Sequence, residues 1–525
     1  MHESSELSSP TPPVIVTEKS VNALEVISVL ATVIVADVTI FRGGGFTGCA
    51  VLLTAVPALL FAGSPSRQPL RPVWLIGFAL LAVAVRLIWH GSIVTVCCGL
   101  TLTCVFALAM AGRTIHLFES FIFAWYVIPS GMLACVPYWN ISKQIVTHIS
   151  TKWLNVLLPA LALVTFGMLF VVANPDLAHL FSENLANLVR HLEKWLIHTS
   201  PSELGFLSVT AIVFLGLLKP LPVIKQLTDR SQPHQTKSPE ASSFYVAFRN
   251  TMVTVTLLFA VYLVFEFQTL WFREFPEGFY YSGYAHQGAA WLTAALAIAT
   301  GILSLIFRGT VLADPRIDRL KVLAWIWSLE NMVLGLAVFH RVFIYINFNG
   351  MTRMRVIALF GISSVITGFI MVVIKIIRNR SFLWLLRAHL FTLMTAVFLY
   401  CLTPVDWFVT GYNVRRILSG DLAPAVQVSV HPISAEGLLL LRPLVNHKNE
   451  TIREGVRAVL AEAHLNAESN ATMLKKRNWS YYQIADQWVL SGLRIHKDQW
   501  LDHYQNAGKR STAYQRFADF VYQWY

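Results

Sequence analysis

The chain has 525 residues, of which 55% are hydrophobic and only 13% are charged, whereas a soluble domain is about a quarter charged. Its formal net charge of +12 is spread over short loops between apolar runs, which is typical of loop charges that set membrane topology and not of a nucleic-acid-binding face. The composition excludes an ordinary soluble protein and predicts that the chain lies in lipid, with no nucleic acid as partner.

The N-terminal segment, residues 1–21, is polar and rich in serine and proline, and we expect it to be disordered. It has no basic region of the kind that begins a cleavable signal peptide. We therefore expect the first apolar run to remain in the protein as its insertion signal.

Apolar runs long enough to cross a bilayer follow one another along most of the chain. Each should be helical, because a single segment in hydrocarbon can satisfy its backbone N–H and C=O groups only within a helix. The predicted fold class is all-α, a polytopic transmembrane helix bundle of about 12 spans with a C-terminal helical tail. The predicted spans are 22–41, 45–63, 73–89, 92–111, 115–135, 153–173, 205–223, 245–267, 286–307, 322–347, 354–377 and 382–403.

Polar segments divide this series into predicted domains. Residues 176–198 carry leucine on one helical face and charge on the other, which predicts an amphipathic helix, either flat in the membrane interface or packed on the protein's own loops. Residues 224–244 lack an apolar period and should link an N-terminal membrane half, 22–223, to a C-terminal membrane half, 245–403. Residues 404–525 form the tail, which is soluble or membrane-apposed.

Loop charges favour one orientation of the second half. The loops near 219–237, 308–321 and 378–380 hold more lysine and arginine than the loops near 273 and 350. Because positive loops are retained on the cytoplasmic side, we expect the first three loops to be cytoplasmic and the tail to lie on the other side.

Motifs of common enzymes are absent from the sequence: it has no P-loop, HExxH, paired CxxC or GxSxG pattern. All six cysteines fall within or at the ends of apolar runs, which indicates buried core residues and not disulfides or ligands. We therefore assign no catalytic residue, no metal and no cofactor, and we favour a protein that is not an enzyme.

The most polar predicted span contains Glu330, Arg341 and Tyr345 at spacings that return to one helical face. Ionisable groups inside a membrane usually face a bundle interior, a partner or a water-filled cavity. The three side chains either line a functional polar cavity, or Arg341 reaches the interface while Glu330 satisfies a neighbouring helix. Other intramembrane charges are expected to find partners across the bundle, as buried charges must: Glu25, Asp37, Arg86 and Glu266.

Two stretches are rich in aromatic residues. The loop from Trp271 to His286 should lie at a membrane interface, and its tyrosines form either an interfacial anchor or the lip of a binding site. The last fifty residues also carry many tyrosines and tryptophans. They either close a small helical core or present a surface for a sugar, lipid or peptide.

Two motifs in this region resemble a known family. The stretch FPEGFYYSGYAHQG places Tyr281 and Tyr284 ahead of one span, and FHRVFIYINFNGMTRMR ends another span with Arg341 and Tyr345. Both are similar to patterns in bacterial multi-span membrane proteins known as domain of unknown function 4173, although His286 stands where that pattern has arginine. The resemblance implies a bacterial membrane location and names no activity. The hypothetical binding residues are Tyr281, Tyr284, His286, Glu330, Arg341, Tyr345, Thr352 and Arg355.

We predict an integral multi-pass protein of the bacterial cytoplasmic membrane. Its expected partners are the lipid bilayer and a protein or envelope component that binds the tail. The favoured function is organising or sensing without catalysis. The alternative is a transporter or permease that uses the polar stripe, and an intramembrane enzyme acting on a lipid-linked substrate ranks third because no acid/base or metal set is found at neighbouring positions.

Overall fold

The computed structural model describes residues 22–64, 71–112, 116–147, 200–220, 244–271 and 291–524, the last range with gaps at 297, 300, 304–305, 308–310, 312–313, 379 and 477. Several predictions lie outside the described residues. These are the disordered N-terminus 1–21, the span 153–173, the amphipathic helix 176–198, most of the linker 224–244, and the loop residues Tyr281, Tyr284 and His286.

Ten helices in the described residues are long and apolar enough to cross a membrane. We label them α1 (Ala23–Ala36, continued by a π-helical turn, Asp37–Phe41), α2 (Phe46–Gly63), α3 (Arg71–Trp89), α4 (Ile93–Met110), α5 (Leu117–Thr147), α6 (Pro201–Leu218), α7 (Tyr245–Glu266, continued by a π-helical turn, Phe267–Trp271), α8 (Ile317–Asn349), α9 (Arg353–Ile377) and α10 (Phe382–Leu402). The all-α polytopic fold class is confirmed, and no strand occurs in the described ranges. A shorter apolar helix, Trp291–Leu303, lies within the predicted span 286–307.

Polar caps fix where several of these helices begin. Ser200 accepts a hydrogen bond from the Glu203 backbone N–H, and the Glu203 carboxylate accepts one from the Ser200 N–H, which makes a complete capping box. Caps with the same side-chain-to-backbone bond begin α4, α9 and α10. Their cap residues are Ser92, Thr352 and Ser381.

The chain divides into two compact units, of which the first comprises residues 1–34, 58–67 and 126–221. Glycines allow α5 and α6 to approach closely within this unit. A Cβ atom on Gly131 would lie 1.8 Å from the Ile212 carbonyl oxygen, and one on Gly216 would lie 1.9 Å from the Val127 carbonyl oxygen. Small residues at such crossings let helix backbones pack against each other where lipid provides no hydrophobic drive.

A buried carboxylate in the first unit is satisfied by two other helical regions. Glu25 is 4% exposed, accepts a hydrogen bond from the Tyr138 hydroxyl and pairs with the Lys219 ammonium group. The expected partner for Glu25 is therefore found within this unit.

The second unit comprises residues 35–57, 68–125 and 222–525. Its described spans pack around three apolar clusters, one among α2, α3, α4 and α10 and two among α7, α8 and α9 with part of α10 and of the segment 291–311. A buried lysine is also satisfied here, because Lys375 donates a hydrogen bond of 3.0 Å to the Phe307 carbonyl oxygen.

The chain after the last span folds into short helices around one long helix. These are α11 (Val405–Leu418), α12 (Ala425–Val430), α13 (Ala435–Leu438), α14 (Glu450–Lys476), α15 (Ile484–Ile495), α16 (Leu501–Gln505) and α17 (Ala507–Val521). They share an apolar core that includes Trp500 and Phe517, both at most 1% exposed. Gly455 of α14 lets Phe517 of α17 pack closely, since a Cβ there would lie 2.3 Å from the Phe517 Cβ.

Candidate functional site

Arg341 forms a buried ion pair with α7. Its Nε and Nη2 atoms donate to the two carboxylate oxygens of Glu266, each at 2.7 Å, and the two side chains are 6% and 0% exposed. The Tyr262 hydroxyl donates to the same carboxylate at 2.9 Å. The guanidinium group is thus engaged with Glu266, and it ties α8 to α7.

Glu330 lies apart from this pair, on a polar turn of α8. Its Oε2 atom, the Asn331 Oδ1 atom and the Trp327 Nε1 atom are buried and have no hydrogen-bond partner among the described residues. Residues three and four apart share a helix face, so these side chains occupy neighbouring positions on α8. The structure therefore does not join Glu330 to Arg341 in one site.

Tyr345, Thr352 and Arg355 meet at the turn that joins α8 to α9. The Arg355 guanidinium carbon lies 3.6 Å from the centre of the Tyr345 ring, and its nitrogens donate to the Gly350 carbonyl oxygen and to Asn349 Oδ1. Thr352 caps α9 by accepting from the Arg355 N–H. These motif residues bind one another and the main chain of the turn, and they therefore stabilise the turn itself.

The turn requires glycine. Gly350 has a φ of 97°, in the left-handed region that favours a residue without a Cβ atom. A Cβ atom at this position would also lie 2.5 Å from Asn413 Oδ1 on α11. The close approach of the tail to the turn therefore depends on Gly350.

Tail side chains satisfy the main chain of this turn. Asn413 accepts from the Met351 N–H at 2.7 Å and donates to the Met351 carbonyl at 2.9 Å, so its amide binds like a strand partner. Gln427 donates to the Asn349 carbonyl at 2.8 Å. Arg416 donates to the carbonyls of Ile346 and Asn347, both at 2.6 Å, which places a cation at the C-terminus of α8. We call these contacts between the tail and the α8–α9 turn the first clamp.

A second clamp joins the tail to α3. Arg86 donates from Nη1 and Nη2 to the Glu436 carboxylate at 2.6 and 2.7 Å, and Glu436 is 4% exposed. The Trp89 indole N–H donates to the same carboxylate at 2.9 Å. Gln483 continues the clamp, because it donates to the Leu87 carbonyl and accepts from the Gly91 N–H, each at 2.9 Å.

Between these clamps lies a polar cleft, which we call the junction cleft. It consists of two adjoining cavities of about 260 and about 240 Å³ that share Arg353, Tyr400 and Asp406 as lining residues. Arg353 and Asp406 form an ion pair at this shared wall, and the Ser434 N–H donates to Asp406 at 2.7 Å. The first cavity is also lined by Thr352 and the second by the Arg86–Glu436 pair.

The surroundings of Asp406 and His431 determine the protonation states of these two side chains in the cleft. Burial raises the pKa of the Asp406 carboxyl, but hydrogen bonds from Arg353 and Ser434 outweigh burial and hold the pKa below its ordinary value. Burial, with the nearby Arg355 and Arg353 cations, lowers the pKa of His431. At neutral pH the cleft therefore presents an ionised carboxylate, a guanidinium group and a neutral imidazole.

The segment 431–433 lines both the junction cleft and a larger groove on the tail. This groove, of about 780 Å³, runs between α14 and α17 and includes Arg510 and Tyr514. It adjoins another cavity of about 260 Å³ along α14, with which it shares Ala463 and Asn466. We call these two cavities together the tail groove. Among the described residues no group of three or more His, Cys, Asp or Glu side chains is arranged to hold a metal ion.

Sequence reasoning selected the turn but missed most of the cleft. Arg353, Asp406 and His431 belong to three separate segments, and none of them was among the predicted binding residues. One signal for the cleft was available in the sequence. Polar side chains that can both donate and accept a hydrogen bond, such as that of Asn413, follow soon after the last span.

The described spans and the tail hydrogen-bonded to their ends define the class: a multi-pass membrane protein with a docked helical tail. A family model described as "Domain of unknown function (DUF4153)" matches residues 74–431, most of the chain. The chain belongs to this family. The match is thus to a domain of unknown function, as the motifs indicated, but it does not confirm domain 4173. No curated protein and no solved structure matches the chain.

Proposed function

We propose that the protein is a non-enzymatic organising or sensing protein of the bacterial cytoplasmic membrane. In this proposal the tail groove binds an envelope component, and the junction cleft conveys occupancy of the groove to the spans. The observation that carries the proposal is that one segment, 431–433, lines both the groove and the cleft.

The contacts after this segment provide a route from the tail to the membrane. Ser434 follows the shared segment directly and donates its N–H to Asp406, which pairs with Arg353. Arg353 is the first residue of the span α9. A ligand that moves segment 431–433 therefore acts on the carboxylate that holds the start of α9.

Loop charges support a tail outside the cytoplasm. Of four described connections next to the tail contacts, those at 90–92, 350–352 and 403–404 contain no lysine or arginine, and the one at 42–45 contains a single arginine, Arg42. The connections at the other ends of the same spans are basic, and positive loops favour the cytoplasm. Their basic residues are Arg67, Arg113, Arg308, Arg316, Arg378 and Arg380.

Filling the tail groove tests the coupling without knowledge of the ligand. Ala463→Phe places a ring in the groove, and Ser469→Phe adds the same ring at an exposed position of the same helix. We expect hydrogen–deuterium exchange of the full chain in nanodiscs to change at 350–356 and 405–413 in the first variant only. Unchanged exchange at both segments in Ala463→Phe would refute the coupling.

A transporter remains the second candidate because of the polar turn on α8. Buried polar atoms without partners are costly in a membrane. The side-chain atoms of Trp327, Glu330 and Asn331 that have no partner among the described residues favour a polar substrate or ion at this depth. Glu330→Gln distinguishes the two functions in a strain lacking the chromosomal copy. Loss of complementation by Glu330→Gln, with full complementation by Ala463→Phe, would favour transport over sensing.

A further inference from the structure

A large apolar groove lies on the membrane-spanning surface, away from the tail. It has a volume of about 860 Å³ and is bounded by α3, α4, α10 and the start of α5. Ala79 and Ala82 of α3 and Ala388 of α10 are among its lining residues, and their small side chains give the groove its depth. Phe78 and Phe391, which are 68% and 67% exposed, also line it, so the groove opens to the surrounding lipid.

The groove is longer than one leaflet of a bilayer is thick. Along α10 it extends from Trp384 to Phe398, which at 1.5 Å per residue is about 21 Å. A hydrocarbon core is about 30 Å thick, so one leaflet contributes about 15 Å. The groove therefore accommodates an extended acyl chain of a lipid in the leaflet on the side opposite to the tail.

The end of the groove nearest the start of α10 is polar and basic. Arg387 lines the groove, pairs with the buried Glu119, and has an Nε atom without a hydrogen-bond partner among the described residues. Burial and the Arg387 charge lower the pKa of His116, so the imidazole beside this pair is neutral. Arg71, next to the lining residue Pro72, and Arg380, just before α10, are exposed.

One guanidinium group, that of Arg387, therefore pairs with Glu119 at the end of an apolar groove, and two exposed arginines, Arg71 and Arg380, lie close in sequence to its lining residues Pro72 and Trp384. We propose that this groove is a binding site for a phospholipid with an anionic headgroup, its acyl chain between α3 and α10 and its phosphate near Arg71, Arg380 and Arg387. Trp384 lies at the same end, where an indole favours the boundary between hydrocarbon and headgroups. The site is separate from the junction cleft and does not depend on the proposed function.

Lipid retention by the full chain in detergent, measured by native mass spectrometry, tests the site. Phosphatidylglycerol and phosphatidylcholine with identical acyl chains are added in parallel. We expect retained phosphatidylglycerol on the parent protein and preference over phosphatidylcholine. The double variant Arg71→Gln/Arg380→Gln should retain phosphatidylglycerol about 30-fold more weakly, because each exposed guanidinium group attracts an anionic lipid.

Filling the groove separates acyl-chain binding from surface attraction. Ala79→Phe/Ala82→Phe should abolish retention, whereas Leu81→Phe, at a 51% exposed position of the same helix, should not. Equal retention of the two lipids by the parent protein would overturn the headgroup assignment. Retention that survives Ala79→Phe/Ala82→Phe, or that is unchanged in Arg71→Gln/Arg380→Gln, would overturn the proposed site.

Discussion

Removing Arg341 tests whether the most polar span is held by an ion pair or lines an open cavity. Arg341→Met removes both guanidinium hydrogen bonds from the fully buried Glu266 carboxylate, which keeps the hydrogen bond from the Tyr262 hydroxyl. Breaking a buried pair by removing one partner costs about 3 to 5 kcal/mol, because the other charge stays in a low-dielectric environment. We therefore expect the free energy of unfolding to fall by about that amount.

Replacing Glu266 together with Arg341 provides the decisive comparison. Replacing a buried ion pair by apolar residues of similar volume is often neutral, since the cost of desolvating both charges disappears together with their attraction. Arg341→Met/Glu266→Leu should therefore recover most of the stability that Arg341→Met loses. Glu330→Gln is the matched control on the same helix, because the Glu330 Oε2 atom has no partner to lose among the described residues.

Reversible unfolding of the full chain in mixed detergent micelles, titrated with sodium dodecyl sulfate, measures these differences. The ion-pair interpretation requires a positive coupling energy between Arg341 and Glu266 in the double-variant cycle. A loss below about 1 kcal/mol in Arg341→Met, or a double variant less stable than the single one, would refute the reasoning.

Three further predictions concern the tail. Asn413→Ala should lower the free energy of unfolding by about 1 to 3 kcal/mol, because the half-buried N–H and C=O groups of Met351 lose their partner. Protease sensitivity of the tail in nanodiscs should rise accordingly, and unchanged sensitivity would contradict the clamp. Burial lowers the pKa of His464 and His503, so the folded tail binds fewer protons than the unfolded tail, and its stability should fall as the pH drops below about 6.5. Thermal unfolding between pH 5 and 8 checks this, with His464→Gln/His503→Gln expected to flatten the profile. Finally, a cysteine at Ser511 should react with an impermeant reagent in intact spheroplasts while one at Ser238 is protected, and the reverse pattern would exclude a tail outside the cytoplasm.

The resemblance motif shows how one sequence pattern can support two interpretations. Arg341, Tyr345, Thr352 and Arg355 are polar residues near a span end, which is typical of a binding site. Their contacts include Glu266, each other, the Asn349 side chain and main-chain atoms of the same turn. No local property of the sequence distinguishes these roles, because the distinction depends on what fills the space around each side chain.

The sequence by itself determined the class of fold and the position of most described spans. A helix satisfies its own backbone within four residues, so the length of an apolar run and a cap such as Thr352 suffice to define a span such as α9. Tertiary structure alone decided the pairings that build the junction. Arg86 pairs with Glu436 from 350 positions away, and Asn413 binds Met351 from 62 positions away. Such contacts arise from packing among helices that are distant in the chain, and the side chains carry no local mark of the partner they will meet.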